Sequence, residues 1–241
     1  MSNSKVAMIA DTYPEIRPLV RHWRRHKRDY AGRHYTFFES DQAVAVCSGM
    51  GPEPGRRATE AIIALYSPTE VMSVGIAGAL DATLHVGEVF TPRTVIDARD
   101  GSRTDTQNGS GTLVSFTSVA SAEQKAKLAK AYGATAVDME GASVARGAET
   151  HGLRFSAVKA ISDEADFVLP PFDPFITHDG HFRTGAFVAF LALRPWLWPA
   201  VLRLARNTSR AAANLCAALQ CYNHDPQEIR TELRTSPGEN T

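Results

Sequence analysis

The sequence predicts an α/β protein, a layered sheet with helices on both faces, on three observations. Short apolar runs alternate with helical patterns over the first two-thirds of the chain. Several runs end in polar or glycine-rich residues, at 11–15, 48–51, 75–78, 138–140 and 162–166, where ligands sit in layered sheets. After Asp166 the chain changes character: Phe167–Gly180 is a loop of Pro, Phe and Asp, and His181–Gln220 is strongly helical.

Each element follows from local pattern. Lys5–Ala10 is an apolar run of strand length that Asp11 stops. Pro14 suits a first helical turn, so 14–28 is expected as a helix. Tyr35–Phe38 and Gln42–Cys47 read as strands around the turn residues Glu39-Ser40-Asp41. Ser48-Gly49-Met50-Gly51-Pro52 is a glycine-rich turn, and Glu53–Tyr66 a helix. Glu70–Gly75 is a strand followed by a small-residue loop, Ile76-Ala77-Gly78-Ala79. Glu88–Ala98 is a strand with Pro92 near its start, and Arg99–Gly111 a polar hairpin or loop. Leu113–Phe116 is a strand, and Ser121 caps a helix to Tyr132. Thr135–Met139, Glu140–His151 and Phe155–Ser162 read as strand, helix and strand. The expected organisation is one domain over 1–222, with 181–222 as a helical appendage and 223–241 as a frayed tail.

Composition narrows the class. A chain of 241 residues holds one large domain or at most two small ones. Hydrophobic residues at 44% and charged residues at 22% exclude general disorder, a collagen-like chain and a disulfide miniprotein. Lys plus Arg equals Asp plus Glu, 26 against 26, which argues against a nucleic-acid binder. Cys47, Cys216 and Cys221 lie too far apart for a four-ligand metal site, and their odd number argues against a disulfide framework. A reducing, cytoplasmic setting is therefore expected. Val6–Ala10 is too short for a secretory core. Phe187–Leu202 is greasy, yet Arg194 and two prolines make it a poor membrane span. His178 and His181 have only Asp179 as a nearby extra ligand, so no metal is expected.

Four short segments can carry chemistry. In Val137-Asp138-Met139-Glu140, a strand ends and a helix begins, so the dipole favours an ionised Glu140. The same pattern fits a first-turn Glu that only stabilises the helix. In Ser162-Asp163-Glu164-Ala165-Asp166, crowded carboxylates would raise one pKa and make a general acid. A capped turn fits that pattern too. Backbone N–H groups of Ser48-Gly49-Met50-Gly51 can hold an anion or a sugar. Small residues in Gly75-Ile76-Ala77-Gly78-Ala79-Leu80, followed by Val86-Gly87-Glu88-Val89, let the chain pass under a flat ligand or pack tightly in a crossover.

In their order, these segments resemble the nucleoside phosphorylase and nucleosidase superfamily, in the branch with 5′-methylthioadenosine/S-adenosylhomocysteine nucleosidase; the likeness runs from Lys5 to about Asp166. The resemblance implies a three-layer α/β/α phosphorylase-like fold with a central mixed, twisted sheet, and a homodimer. It implies cleavage of a nucleoside N-glycosidic bond through an oxocarbenium-like ribose. Glu140 would hold the ribose hydroxyls, Met139 would pack on the sugar, and Asp163 would protonate purine N7 with Ser162 orienting it. Glu15 matches the acid that activates water, Ile76, Ala77 and Gly78 lie by base and ribose, and Ser118-Val119-Ala120 matches the stretch whose backbone meets adenine. No cofactor is implied; inorganic phosphate is an alternative co-substrate.

Departures from the pattern matter. Asp11-Thr12-Tyr13-Pro14 precedes Glu15 where the nucleosidases place further acids. Met72-Ser73 stands where several phosphorylases place a phosphate-binding arginine. A substitute anion site would use Ser48, Gly49, Gly51 and Arg57, or Arg56; exposed helix arginines are the plainer reading. The stretch from Phe182 to Asn207, with Arg-Pro-Trp-Leu-Trp-Pro at 194–199, resembles the hopanoid-associated subgroup, linked to removing adenine from adenosylhopane. That suits a lipid-linked substrate. It also suits peripheral contact with the inner face of a membrane, with Trp196 and Trp198 as anchors and Arg194, Arg203, Arg206 and Arg21–Arg28 toward headgroups. A dimer interface or core packing would serve equally. The competing readings are a methylthioadenosine/adenosylhomocysteine nucleosidase, a phosphorylase, and a non-catalytic nucleoside-binding, membrane-associated protein.

Overall fold

In the computed structural model, which describes residues 5–106 and 108–224, side-chain alternation along the strands sets the layering. The elements run β1 (Val6–Ala10), α1 (Tyr13–Val20), β2 (Arg24–Tyr30), β3 (Arg33–Glu39), β4 (Ala43–Cys47), α2 (Pro52–Tyr66), β5 (Glu70–Ala79), β6 (Val89–Phe90), β7 (Thr94–Asp97), β8 (Arg103–Asp105), β9 (Thr112–Ser115), α3 (Ala122–Tyr132), β10 (Ala136–Asp138), α4 (Gly141–Thr150), β11 (Arg154–Asp163), α5 (Thr184–Ala192) and α6 (Trp198–His224). Single 3₁₀ turns lie at Asp173–Phe175 and Pro195–Leu197.

Ala7 and Ile9 of β1 enter one core with Val44, Val46 and Val71, under Ala58 and Ile62 of α2 and Val144 and Ala148 of α4. Met8 and Ala10 enter the other, with Ala43, Ala45 and Met72, under Ile16 and Leu19 of α1 and Leu215 and Leu219 of α6. A period of two thus sends neighbours to opposite faces, and the result is a three-layer α/β/α fold. The sheet is mixed, in the order β2-β3-β4-β1-β5-β10-β9-β7-β8. β5 is its hub: β1 and β11 pair with it in parallel, and β10 antiparallel at Gly78 and Ala79.

Several boundaries differ from expectation. The helix expected over 14–28 ends at Val20, with Pro18 inside it and Arg21 as its cap. Arg24–Tyr30 instead zips to β3 through a two-residue turn, Ala31-Gly32, with φ of 47° and 74°. That is the geometry a tight hairpin needs. β2 is an edge strand, and its exposed charges deter further pairing. The expected loop at Ile76–Ala79 is instead the second half of β5, because β11 and β10 continue the ladder there. Pro92 divides the expected strand 88–98 into β6 and β7, and β8 lies inside the polar stretch 99–111.

The C-terminal helical stretch also divides. α5 and the stretch Pro195–Gln220 meet at 112°. Among the described residues no single helix is long and apolar enough to cross a membrane; this bent pair passes only together. The second half of α6 is core, with Leu215 fully buried. Phe187 is buried against Phe172, Phe175 and Phe182, whereas Val188, Leu193, Trp196, Trp198 and Leu202 are exposed. Arg203 is exposed, pairs with Glu164 at 3.2 Å and lies over the Phe167 ring. Arg194 folds onto Phe190. The tail expected from residue 223 begins inside α6, and 225–241 lie outside the described residues.

Candidate active site

The C-terminal ends of β1, β5, β10 and β11 converge on a cavity of about 310 Å³. It gathers the expected Glu15, Ile76, Ala77, Gly78, Ser118, Val119, Ala120, Met139, Glu140, Ser162 and Asp163. Four groups that the motif reading did not assign join them: Asp11, Asp138 and Lys125 on the wall, and Lys159 behind it. Leu169, Phe172 and Leu204, from the region after Asp166, add an apolar side.

One end is crowded with acids. Asp11, Glu15, Asp138 and Glu140 are all buried, and the buried Lys159 is the cation among them. Its Nζ lies 2.9 Å from Asp138 Oδ2, an ion pair without hydrogen-bond alignment. Burial would push the Lys159 ammonium down, but Asp138, Asp11 and Glu140 together raise it. Burial pushes Glu15 up to about 8, with the Asp11 charge adding to the rise and the Thr12 hydroxyl and Lys159 opposing it. Glu15 Oε2 has no hydrogen-bond partner among the described residues. Gly75, at φ +153°, makes room here.

Glu140 differs from the ionised first-turn residue that the helix dipole predicts. It occupies the N-cap position of α4 without capping it. Asp138 Oδ2 accepts the Gly141 N–H at 2.9 Å and Ser115 Oγ accepts that of Ala142 at 2.8 Å. The Glu140 carboxyl turns into the cavity, where Oε1 accepts the Gly51 N–H and Oε2 that of Met139. Burial, then the charges of Asp11 and Asp138, raise it well above the usual carboxylate range. Asp11 is raised by burial as well, and it shares a hydrogen bond with Glu140. Desolvation outweighs the half-charge of a helix end.

The other end is built by a bulge. Ile161 pairs with Ala77 and Asp163 with Gly78, so Ser162 is the extra residue, and a bulge of this kind re-aims a side chain. Asp163 Oδ1 accepts the Ser162 hydroxyl at 2.6 Å, and its Oδ2 pairs with Lys125 Nζ. The carboxylate crowding expected from Asp163, Glu164 and Asp166 is absent here, because Asp166 is exposed and Glu164 pairs with Arg203. Lys159 and Asp163 stand four positions apart on β11, about 13 Å along the strand. The acid cluster and the Asp163 corner are thus distinct poles of one cavity.

The glycine turn is not an open anion cradle. The N–H groups of Ser48, Gly49, Met50 and Gly51 go to Ala10 O, Asp11 O, Gly180 O and Glu140 Oε1. Ser48 and Arg57 line a second cavity of about 500 Å³ beside Arg25, Arg33 and His181. Arg57 is paired with Glu53 at 2.7 Å, and Arg56 with Glu53 and Glu60. In the adenine stretch, the Val119 N–H donates to Asp173 Oδ1 at 3.0 Å. Among the described residues no group of three His, Cys, Asp or Glu is placed to hold a metal ion.

Lys159 carried a signal in the sequence: a lysine between Val158 and Ala160 in an apolar strand must be paired. Lys125, in the polar helix Ala122–Tyr132, reads as a solvated lysine and gave none.

The family model described as Phosphorylase superfamily matches residues 5–118 and 110–191. No match is found among curated proteins. A solved structure of Helicobacter pylori 5′-methylthioadenosine/S-adenosylhomocysteine nucleosidase is similar at 17% identity and TM-score 0.71, covering 93% of this chain and 99% of that one. The futalosine hydrolase of the same organism is similar at 17% and 0.69, covering 92% and 97%. The Neisseria meningitidis nucleosidase in complex with methylthio-immucillin-A is similar at 21% and 0.66, covering 88% and 95%. At these identities the likeness establishes the fold.

Proposed function

We propose that this chain, which belongs to the phosphorylase superfamily, cleaves the N-glycosidic bond of a purine nucleoside. Its substrate is a 5′-substituted adenosine with a large apolar 5′ group, adenosylhopane above all. The observation that carries the reading is the two-pole cavity, with Glu15 and Glu140 at one end and Asp163 at the other. The names of the similar structures, nucleosidases and a futalosine hydrolase, support it.

The poles divide the work. Bond cleavage leaves positive charge on the ribose and negative charge on the base. The acid pole faces the ribose: Glu140 and Asp11 accept its hydroxyls, and Met139 packs on the sugar. The free Oε2 of Glu15 takes a water molecule. Glu15 acts in its ionised form, which a cationic ribose favours, and takes the proton of the water as it attacks. Water rather than phosphate is the nucleophile, because the N–H groups of the 48–51 turn are already taken. The Asp163 corner faces the base.

The apolar side supports the 5′ substituent. Leu204 lines the cavity from α6, which also carries the exposed Trp198 and Leu202. An apolar tail leaving the 5′ carbon would run along this side, and the tip would rest on a lipid surface, the inner face of the membrane for a cytoplasmic protein. Adenine release from adenosine, methylthioadenosine, adenosylhomocysteine and detergent-dispersed adenosylhopane, each with and without phosphate, tests the reading. Phosphate-independent release, fastest from adenosylhopane, is expected. Fastest release from methylthioadenosine overturns the lipid substrate, phosphate dependence overturns water as nucleophile, and binding without release overturns catalysis.

A further inference from the structure

We propose that Lys125 supplies the proton that departs with the base, handing it to purine N7 through Asp163; this rests on the nucleosidase reading above. The starting point is hydrogen-bond arithmetic at Asp163. The Ser162 hydroxyl lies 2.6 Å from Asp163 Oδ1 and 3.3 Å from Ala77 O, and gives its one proton to the nearer oxygen; Asp163 Oδ2 accepts from Lys125 Nζ. A carboxylate that accepts on both oxygens has no proton of its own to give.

Lys125 is placed to give one. It projects from α3 into the cavity, is 2% exposed, and directs two of its protons at Asp163 Oδ2 and at Glu164 O, the latter 2.7 Å away. The groups facing its ammonium are Asp163 and the Glu164 carbonyl from β11 and the loop after it, and Gly78 from β5. The Glu164 carboxylate is turned to Arg203 of α6. A Cβ at position 78 would stand 3.0 Å from Asp163 Oδ2 and 3.1 Å from Lys125 Cε. The missing side chain of Gly78 is what lets lysine and aspartate meet.

The proton ledger closes. As the C1′–N9 bond breaks, its electron pair goes to N9. Asp163 Oδ2 first takes a proton from Lys125 Nζ and then passes that same proton to N7. Lysine is left neutral, aspartate ionised, the base neutral and the ribose an oxocarbenium ion. Water adds to C1′ and gives its proton to Glu15. Solvent then returns one proton to Lys125 and removes one from Glu15.

The test compares leaving groups. Lys125→Met and Lys125→Arg are assayed on the adenosine that the wild type cleaves and on a 4-nitrophenyl riboside with the same 5′ group. Nitrophenolate leaves without a proton. Both variants are expected to lose about 100-fold or more in kcat on the adenosine. On the nitrophenyl riboside they keep kcat within about threefold, on the order of 0.6 kcal/mol. Arginine keeps the charge but gives up no proton, so full adenine release by Lys125→Arg overturns the proposal. Equal losses on both substrates reduce Lys125 to a structural role and also overturn it. If Lys125→Met does not fold, the arginine variant alone decides. Absence of base release by the wild type from every adenosine refutes the functional reading itself and the proton route with it.

Discussion

Gly75 and Glu15 are a matched pair: a Cβ on Gly75 would stand 2.8 Å from Glu15 Oε2, the oxygen that no described residue hydrogen-bonds. Gly75→Ala therefore displaces the carboxylate and strains a backbone at φ +153°. A shift of about 1 Å at a reacting group costs on the order of 100-fold. Steady-state assays should find kcat lowered by about that factor, in a protein whose circular dichroism is unchanged.

Glu15 links activity and stability to pH in opposite senses. Its carboxyl is pushed from an ordinary 4.5 up to about 8 by burial and the Asp11 charge. As the base that receives the proton of water it must be ionised, so kcat/KM should rise with pH to about 8 and then level off. For stability, the folded state holds a proton that the unfolded state releases above about 4.5. The contribution is fully present below that pH and lost progressively up to about 8. Glu15→Gln should abolish turnover and raise Tm at pH 9, with little effect at pH 5, as thermal unfolding at the two pH values will show.

Lys159 is the buried cation that offsets Asp11, Asp138 and Glu140. Removing one partner of such a group leaves the others uncompensated, at about 3–5 kcal/mol. Lys159→Met should lower the urea midpoint accordingly. Adding Asp138→Asn should recover part of the loss, a coupling that a double-mutant cycle measures.

Asp173 holds the Val119 N–H that the adenine stretch would otherwise offer to a base. Asp173→Ala should lower the KM of an adenine nucleoside severalfold and leave kcat within about twofold, since a neutral hydrogen bond contributes about 1 kcal/mol. An unchanged KM would place the base elsewhere.

Layering and the acid positions were legible because they rest on local pattern. Alternation in Val6–Ala10 and Ala43–Cys47 requires a two-sided sheet, and Glu15, Glu140 and Asp163 stand at strand or helix ends where a ligand can reach them. What the sequence hid depends on pairing at a distance. Arg24–Tyr30 has the charge pattern of a solvated helix and becomes a strand only because β3 lies beside it. The 48–51 turn looked free to bind an anion, until Ala10, Asp11, Gly180 and Glu140 took its donors. The Lys125–Asp163 pair joins residues 38 positions apart.

α6 has a mechanical consequence. Its first turns carry Trp198 and Leu202 into the open, its middle presents Leu204 and Thr208 to the cavity, and Ala211, Leu215 and Leu219 clamp its far part in the core. The helix has no glycine and, past Pro199, no proline, so it has no joint. From Leu202 to Leu215 it spans about 20 Å as one rod. With its far part clamped in the core and its first turns held by Trp198 to Leu191 and by Arg203 to Glu164, the rod gives the apolar side of the cavity a stiff wall.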